Sequence, residues 1–287
     1  MKKRLLKLKI NYLLKKVSYF LKSKGIQNPV LEARLLISYV KNISNEKFFI
    51  LSNYLEVSIQ EIKKLREACL RRGKGEPLAY ITQNQEFFAY NFFVNKSVLI
   101  PRADTEVLVK SIITENQDKK SLSILDLGTG SGCIILSILK QMPNATGFAV
   151  DISKKALKVC YANAKKMNLL NKITIKKSNW YSNINFYQKF DIIASNPPYI
   201  SLKKQKKLLS PGVFFEPKIA LFSKGNTCYE KILKGGKHFL KKNGYIYLEI
   251  GKGNKTIENI NNNNSLILQK KYLDIQGIVR VLKFRKI

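Results

Sequence analysis

The chain has 287 residues, 45% of them apolar, with 15 Phe and 14 Tyr. That is ample for a packed core, excludes a disordered chain, and suggests one large domain with a smaller one. Lys and Arg number 52 against 19 Asp and Glu, a formal charge of +33, which first suggests a nucleic-acid partner.

The start, Met1-Lys2-Lys3-Arg4-Leu5-Leu6-Lys7, has the basic opening of a signal peptide. Lysines at 7, 9, 15 and 16 interrupt the apolar stretch that should follow, and no small-residue cleavage site appears. No apolar run approaches the roughly 18 to 20 residues of a membrane span, so the chain reads as soluble and cytoplasmic. Residues 1 to about 73 read as helices only. Leu13, Leu14, Val17, Phe20 and Leu21 recur at three- and four-residue spacing, as do Leu31, Leu35, Leu36, Tyr39 and Val40. Gly25 stops one helix, and Asn28-Pro29 caps the next with proline in its first turn. Ser58 to Leu70 is a further amphipathic stretch.

Glu86 to Tyr90 and Phe92 to Val94 are short and aromatic, separated by Asn91, the pattern of a hairpin. From Ser121 onward, strands alternate with helices. The strands are expected at Leu122 to Leu127, Ala145 to Val150, Lys172 to Ile175, Phe190 to Ala194 and Tyr245 to Ile250. Helices fall near 133 to 141, 153 to 167 and 227 to 242, and the tail adds strands around Leu266 to Leu268 and Ile278 to Leu282. Such alternation predicts a parallel sheet covered on both faces.

Ile124-Leu125-Asp126-Leu127-Gly128-Thr129-Gly130-Ser131-Gly132 runs a strand into three glycines at alternate positions, and a helix opens directly after them. Side chains are absent where a nucleotide-like ligand would approach the backbone, beside the free N–H donors of a helix start. The GxGxG spacing differs from the GxGxxG of dinucleotide binding, and no lysine follows as in a phosphate-binding P-loop, which disfavours NAD and ATP. A tight turn without a ligand is the plain alternative. Asp151 ends the next strand, 23 residues after Gly128. It can accept from ribose hydroxyls or cap the helix that follows, and the two roles compete closely.

Asn196-Pro197-Pro198-Tyr199 follows the strand that ends at Ser195. Two prolines remove two backbone donors and hold the chain extended at the sheet edge where ligands sit. Asn196 can turn its side-chain carbonyl, and Pro197 its backbone carbonyl, onto one NH2 group, while Tyr199 offers a flat face to a planar substrate. A rigid turn with a buried Asn is the alternative.

Together these motifs resemble the class I S-adenosylmethionine-dependent methyltransferases that modify planar nitrogens. Further segments are similar to the release factor glutamine methyltransferase family (HemK/PrmC): Arg71-Arg72 through Gly75-Glu76-Pro77-Leu78-Ala79-Tyr80-Ile81, Glu86-Phe87-Phe88, and Ile100-Pro101-Arg102-Ala103-Asp104-Thr105-Glu106. Phe215-Glu216-Pro217 with Ala220-Leu221, Leu248-Glu249-Ile250-Gly251, and Asp274-Ile275-Gln276-Gly277 leading to Arg280-Val281 fit it too. The similarity is dense from about residue 71 to 251. The chain departs from the family at Gln83, usually Gly; at Ala103, usually Pro; at Asn179, usually an Asp that contacts the adenine amino group; and at Asn226-Thr227-Cys228, usually more acidic and glycine-containing.

The resemblance implies an α/β fold: a Rossmann-like class I methyltransferase domain with a mostly parallel seven-stranded sheet, and a small all-helical N-terminal domain. It places a helical partner-binding domain at 1–75, a hairpin linker at 76–98 and the methyltransferase domain at 99–287. Its cofactor is S-adenosyl-L-methionine, carried over to Gly128, Thr129, Gly130, Ser131, Gly132, Asp151, Trp180 and Asn196. Its substrate contacts fall on Asn196, Pro197, Pro198 and Tyr199, with Asn196, Pro197 and Tyr199 in the reaction. The implied reaction methylates the side-chain amide of the glutamine in the Gly-Gly-Gln loop of class I peptide chain release factors.

Three rivals stand beside it: a ribosomal protein glutamine methyltransferase, a nucleic-acid amino methyltransferase, and a binding protein that kept the fold and lost catalysis. A nucleic-acid enzyme would need a target-recognition domain, yet only 88 residues follow Tyr199, and the sheet consumes them. The charge is a weak guide, because the basic residues are 44 Lys and only 8 Arg, spread along the chain with 25 Asn and the run Asn261 to Asn264. Arg is the residue suited to bidentate phosphate and base contacts. Lys, Asn and Ile in joint excess are what codon drift in an A+T-rich genome produces.

The four cysteines, Cys69, Cys133, Cys160 and Cys228, are too widely spaced for a ligand or redox pair, with only His238 to join them. They read as small buried apolar residues, with no metal implied. His238 reads as a surface or packing residue, and Asp104-Thr105-Glu106 as the cap of a helix beginning near Val107.

Overall fold

The computed structural model describes residues 8–51, 56–201, 211–223, 225–252 and 265–287. The basic start Met1 to Lys7 and the asparagine run lie outside the described residues. Two compact units result, Met1–Gln83 with Ser210–Phe215, and Asn84–Leu209 with Glu216–Ile287.

In the first unit, β1 (Leu8–Lys9) leads into α1 (Ile10–Ser23), followed by α2 (Pro29–Lys41), α3 (Asn45–Leu51), β2 (Glu56–Val57), α4 (Ile59–Gly73) and α5 (Leu78–Thr82). Ile10, Leu13, Val17 and Leu21 of α1 form one buried stripe, and α2 buries Ala33, Leu36, Ile37 and Val40 against it. The inward face of α2 matches the predicted one at Leu36 and Val40; Leu35 and Tyr39 are half-buried, Leu31 is exposed, and Ile37 takes a core position. Gly25, at φ +75°, ends α1 as expected. Pro29 opens α2, but the Asn28 side chain makes no capping bond. Helix α4 carries a full capping box, with Ser58 Oγ accepting from the Glu61 N–H and Glu61 Oε2 accepting from the Ser58 N–H. The unit is not purely helical, because β1 and β2 pair antiparallel, Leu8 opposite Val57. A two-residue ladder is too short to leave a periodic signal.

The second unit begins with the hairpin β3 (Asn84–Phe87) and β4 (Tyr90–Phe93). Its turn is Phe88-Ala89, both at positive φ, and Asn91, expected between the strands, pairs with Glu86 inside the ladder. Two left-handed residues match the strand twist of a type I′ turn, normally a task for Asn and Gly, so the local sequence conceals it. A 3₁₀ turn at Ala103–Thr105 then leads into α6 (Glu106–Asn116).

The remaining elements are β5 (Leu122–Leu127), α7 (Cys133–Gln141), β6 (Ala145–Asp151), α8 (Lys154–Lys166), β7 (Ile173–Lys177), β8 (Phe190–Ser195) and β9 (Ile200–Ser201). After them come α9 (Lys218–Leu221), β10 (Phe222–Ser223), α10 (Thr227–Phe239), β11 (Leu240–Glu249), β12 (Leu266–Leu273) and β13 (Val279–Lys286). Seven strands form one sheet in the order β12-β13-β11-β8-β5-β6-β7, with β13 antiparallel to both of its neighbours. This is the mostly parallel, Rossmann-like seven-stranded sheet that the resemblance implies.

Helix α10 stops at Phe239, three residues short of its predicted end, because Leu240 already pairs with Phe190 of β8. A register shift between Leu240 and Tyr245, with Asn243 left-handed at φ +60°, absorbs the extra residues.

Chain order reverses between β5 and β8: from β5 the sheet grows one way through β6 and β7, and the other way through β8 and β11. A crevice opens outside the carboxyl ends of the strands at such a switch point. Ser195 Oγ, at the end of β8, donates to the Leu127 carbonyl at the end of β5 over 2.7 Å. That bond ties together the two strand ends from which the motifs emerge.

Candidate active site

The crevice is a cavity lined by Gly128, Gly130, Asp151, Ile152, Ser153 and Ala156. Ser178, Asn179, Trp180, Asn196, Pro197 and Pro198 line it too. Ser97 to Leu99 and the segment Pro217, Ile219, Ala220, Phe222 and Cys228 complete it.

The glycine loop is folded onto the end of β6. Gly128 and Thr129 both donate their N–H to the Val150 carbonyl at 2.9 Å, and Gly130 donates to Asp151 Oδ2 at 3.0 Å. Gly128, Gly130 and Gly132 all take left-handed φ, at +73°, +56° and +82°, which other residues adopt only at a cost. A Cβ placed at Gly128 would meet nothing within 4 Å, so its missing side chain leaves open space at the cavity wall. Gly132 has the opposite reason: a Cβ there would lie 2.8 Å from Cys160 Sγ and 2.9 Å from Leu136 Cδ1. It lets α7 close against α8.

The predicted loop residues therefore divide. Gly128 and Gly130 face the cavity, whereas Thr129, Ser131 and Gly132 do not line it. Thr129 and Ser131 are buried, and Thr129 Oγ1 donates to Asp126 Oδ2 at 2.6 Å. The Ser131 carbonyl accepts from Asn163 Nδ2, which also donates to Phe93 O and so ties the hairpin to the back of the loop.

Asp151 borders the cavity and is not the N-cap of the helix that follows. Oδ1 accepts the Ser153 N–H at 2.8 Å, Oδ2 holds Gly130, and the carboxylate edge borders the cavity. The helix cap itself is Ser153, whose Oγ accepts from Ala156 N. Burial pushes the Asp151 carboxyl above the ordinary range, while the backbone N–H donors of Ser153 and Gly130 hold it down.

Trp180 is left-handed at φ +53°. Non-glycine residues rarely adopt that conformation unless their surroundings hold them there. Here the Ser178 hydroxyl donates to the Trp180 carbonyl at 2.7 Å, and Asn179 donates its N–H to Ser182 Oγ. Asn179 and Trp180 thus present themselves together at the cavity edge.

Asn196 stands at the end of β8 with Nδ2 donating to Thr105 Oγ1 at 3.0 Å. The planar amide then directs its carbonyl oxygen the other way. Pro197 and Pro198 continue along the cavity. Tyr199 does not line it; its ring lies half-buried over Gly251, and burial raises its hydroxyl to about 12.

For several residues of the quoted segments, the structure shows contacts that the sequence did not. Thr105 was expected within the cap of the helix, but its side chain makes no cap bond and accepts from Asn196 instead. Glu106 accepts the Phe88 N–H in the hairpin turn, and Asp104 pairs with Arg280 at 2.8 Å. Glu249, buried beside Thr105 and Asn196, is held at about 7, chiefly by burial. The signal that marks it is an acid inside an otherwise apolar strand, Tyr245 to Ile250. Cys69, Cys133 and Cys160 are buried, whereas Cys228 is half-buried at the cavity. His238 is an exposed residue near Phe186.

The methyltransferase small domain matches residues 102–229, and the PrmC N-terminal domain matches residues 12–82. The bifunctional methyltransferase of Rickettsia conorii is 39% identical over 290 residues, covering 92% of this chain and 55% of the relative. The chain thus spans about half the length of such relatives. The release factor glutamine methyltransferase of Buchnera aphidicola subsp. Acyrthosiphon pisum is 39% identical over 232 residues, covering 80% of this chain and 82% of the relative. In fold alone, the chain is similar to the hMettl16 catalytic domain in complex with MAT2A 3'UTR hairpin 6, with a TM-score of 0.51 and 14% identity over 80% of this chain and 84% of that one. With a relative of nearly its own length matched over most of both sequences, the chain belongs to the release factor glutamine methyltransferase family.

Proposed function

We propose that this chain transfers the methyl group of S-adenosylmethionine to the side-chain amide nitrogen of the glutamine in the Gly-Gly-Gln loop of class I peptide chain release factors. The observation that carries the reading is the Asn196 amide, tethered through Nδ2 to Thr105 at 3.0 Å at the edge of the cavity. Its carbonyl end is left for a substrate NH2 group. We read the helical unit as the partner-binding domain and the cytoplasm as the place of action. Among the described residues, no helix is long and apolar enough to cross a membrane.

The residues present fit the cofactor. The space beside Gly128, the acceptor edge of Asp151 and the paired Asn179 and Trp180 suit a ribose and a purine between them. We assign the cofactor to these residues with Gly130 and Asn196, and give Thr129, Ser131 and Gly132 the task of holding the loop from behind. Asn179 replaces the family's Asp, and its side-chain carbonyl can still accept from the adenine amino group. When bound, S-adenosylmethionine supplies an electrophilic methyl group on a positively charged sulfur.

The protein's task is to make a poor nucleophile reactive. An amide nitrogen has its lone pair delocalised into the carbonyl. Two acceptors, the Asn196 side-chain carbonyl and the Pro197 backbone carbonyl, would fix the NH2 group and favour the positive charge that grows on it. Pro198 holds the segment extended, and Tyr199, off the cavity, anchors the segment on Gly251. Orientation supplies much of the rest, since well-aligned groups can gain roughly 7 to 11 kcal/mol. The methylated amide is a strong acid while cationic and loses its proton to water, so no dedicated base is required.

The test is to incubate the purified chain with S-adenosylmethionine and a release factor, then weigh the peptide carrying the Gly-Gly-Gln loop. A one-methyl gain that disappears when that glutamine is replaced supports both reaction and substrate. No gain with the cofactor bound would redirect the search to ribosomal proteins and RNA; no gain and no cofactor binding would mark a decayed enzyme.

A further inference from the structure

Below Asn196 lies a group that the proposed reaction has not used. Strand β11 runs parallel to β8 with Leu248 opposite Ser195, so the next residues, Glu249 at the end of β11 and Asn196 just past β8, follow side by side. Glu249 is 1% exposed and Thr105 is 1% exposed. The Thr105 hydroxyl and the Asn196 amide both oppose the rise that burial gives the Glu249 carboxyl, and Thr105 accepts from Asn196 at 3.0 Å. The second Glu249 oxygen, Oε2, is buried without a partner among the described residues. An unsatisfied carboxylate oxygen inside a core is costly, and a chain needing only to fill that space would do better with an apolar side chain.

The chemistry of Thr105 supplies a reason for keeping the acid. A threonine hydroxyl has one proton to donate and lone pairs to accept with. In isolation it could donate to the Asn196 carbonyl as readily as it accepts from the Asn196 NH2, and the amide would then sit either way round. A neighbouring acceptor removes the choice. If the hydroxyl proton is committed elsewhere, Thr105 can only accept, and Asn196 must present its NH2 inward.

We propose that Glu249 is a positioning residue for Asn196: it takes the Thr105 hydroxyl proton, and so locks the Asn196 amide with its carbonyl oxygen towards the substrate NH2. The chain Glu249–Thr105–Asn196 sets the polarity of the site without touching the reacting atoms. This rests on the reading of Asn196 as the acceptor for a substrate amide.

Two measurements keep the assignment apart from that reading. The first is kinetic. Glu249→Leu fills the space without an acceptor, and kcat should fall at least about tenfold, with the cofactor Kd changed less than about threefold. Glu249→Gln retains an acceptor oxygen and should restore most of kcat. Thr105→Val cuts the same chain, so adding it to Glu249→Leu should cost little more, a non-additivity that independent packing defects would not show. Leucine and glutamine variants with equal kcat, or multiplying losses in the double variant, would overturn the assignment.

The second measurement needs no turnover. The side-chain 15N amide pair of Asn196, identified by its loss in Asn196→Ala, should be protected from exchange in the wild type and lose that protection in Glu249→Leu. Unchanged protection in a folded variant would overturn the proposal even if the wild type proved to methylate another substrate. Absent wild-type turnover with the exchange difference intact would count against the substrate reading alone.

Discussion

The Tyr199 ring rests on the backbone of Gly251, so closely that a Cβ at position 251 would lie 2.7 Å from its Cδ2 and 3.2 Å from its Cγ. Gly251 is not left-handed, so the reason for glycine there is space for the ring. Gly251→Ala should therefore act through Tyr199, tilting the ring and lowering kcat by about tenfold or more, with the cofactor Kd little changed. Paired kinetics check the route. Tyr199→Ala with Gly251→Ala should be no worse than Tyr199→Ala alone, because the two changes share one cause.

Asn196 makes the sharpest demand on the proposed reaction. Removing one preorganised polar group from a transition-state site costs about 10²–10³ in kcat, so Asn196→Ala should lose nearly all turnover. Cofactor affinity, spread over Gly128, Asp151, Asn179 and Trp180 as well, should weaken far less. Single-turnover methylation alongside calorimetric binding separates the two effects. A wild-type rate in this variant would sink the assignment.

The sheet and its two motif-bearing strand ends were legible because each rests on local chemistry: apolar runs for β5, β6 and β8, glycines at a strand–helix junction, and paired prolines after β8. What escaped depends on distant parts of the chain. Thr105 and Glu249 reach Asn196 from separate elements, and no spacing rule links positions 105, 196 and 249. The hairpin turn was misplaced because Phe88 and Ala89 are unusual left-handed residues, and the end of α10 because Leu240 is claimed by β8. In α2, Leu31 looked like a core residue by its four-residue spacing from Leu35, whereas the packing of the helix selects Ile37.

Gln83 shows a departure from the family pattern that the structure explains. It caps the end of α5 at φ +55°, ψ +29°, the left-handed conformation that glycine enters freely and other L-residues enter at about 1–2 kcal/mol. Part of that cost returns as the greater freedom glycine loses on folding, so Gln83→Gly should stabilise the chain by roughly 0.5–1 kcal/mol. Thermal unfolding of the two proteins at one pH is the check. An unchanged or lowered midpoint would mean that the Gln83 side chain compensates through contacts of its own.

Stability should depend on pH in an unusual sense. Asp126 and Glu249 are both raised to about 7, in each case chiefly by burial. Around Asp126 the Thr129 hydroxyl opposes the rise and Asp151 adds to it. Around Glu249 the Thr105 hydroxyl, Arg280 and the Asn196 amide oppose it, and Asp104 adds to it. Between the ordinary carboxylate range and pH 7, the folded protein then holds protons that the unfolded chain has released. Stability rises wherever the unfolded state binds more protons; here the folded state binds more, so stability falls as pH rises from about 5 to 8. Glu115, lowered to about 2 with help from Lys270 and Lys283, works in the opposite sense, but only in more acidic solution, below its ordinary range. The cofactor-free protein should thus melt higher at pH 6 than at pH 8. Glu249→Gln should flatten that dependence and raise the midpoint at pH 8, where the wild type keeps an ionised carboxylate in its core. Melting curves of both proteins at pH 5, 6, 7 and 8 decide the matter: parallel curves would show that Glu249 carries no raised pKa, and the remaining slope would belong to Asp126 and Asp151.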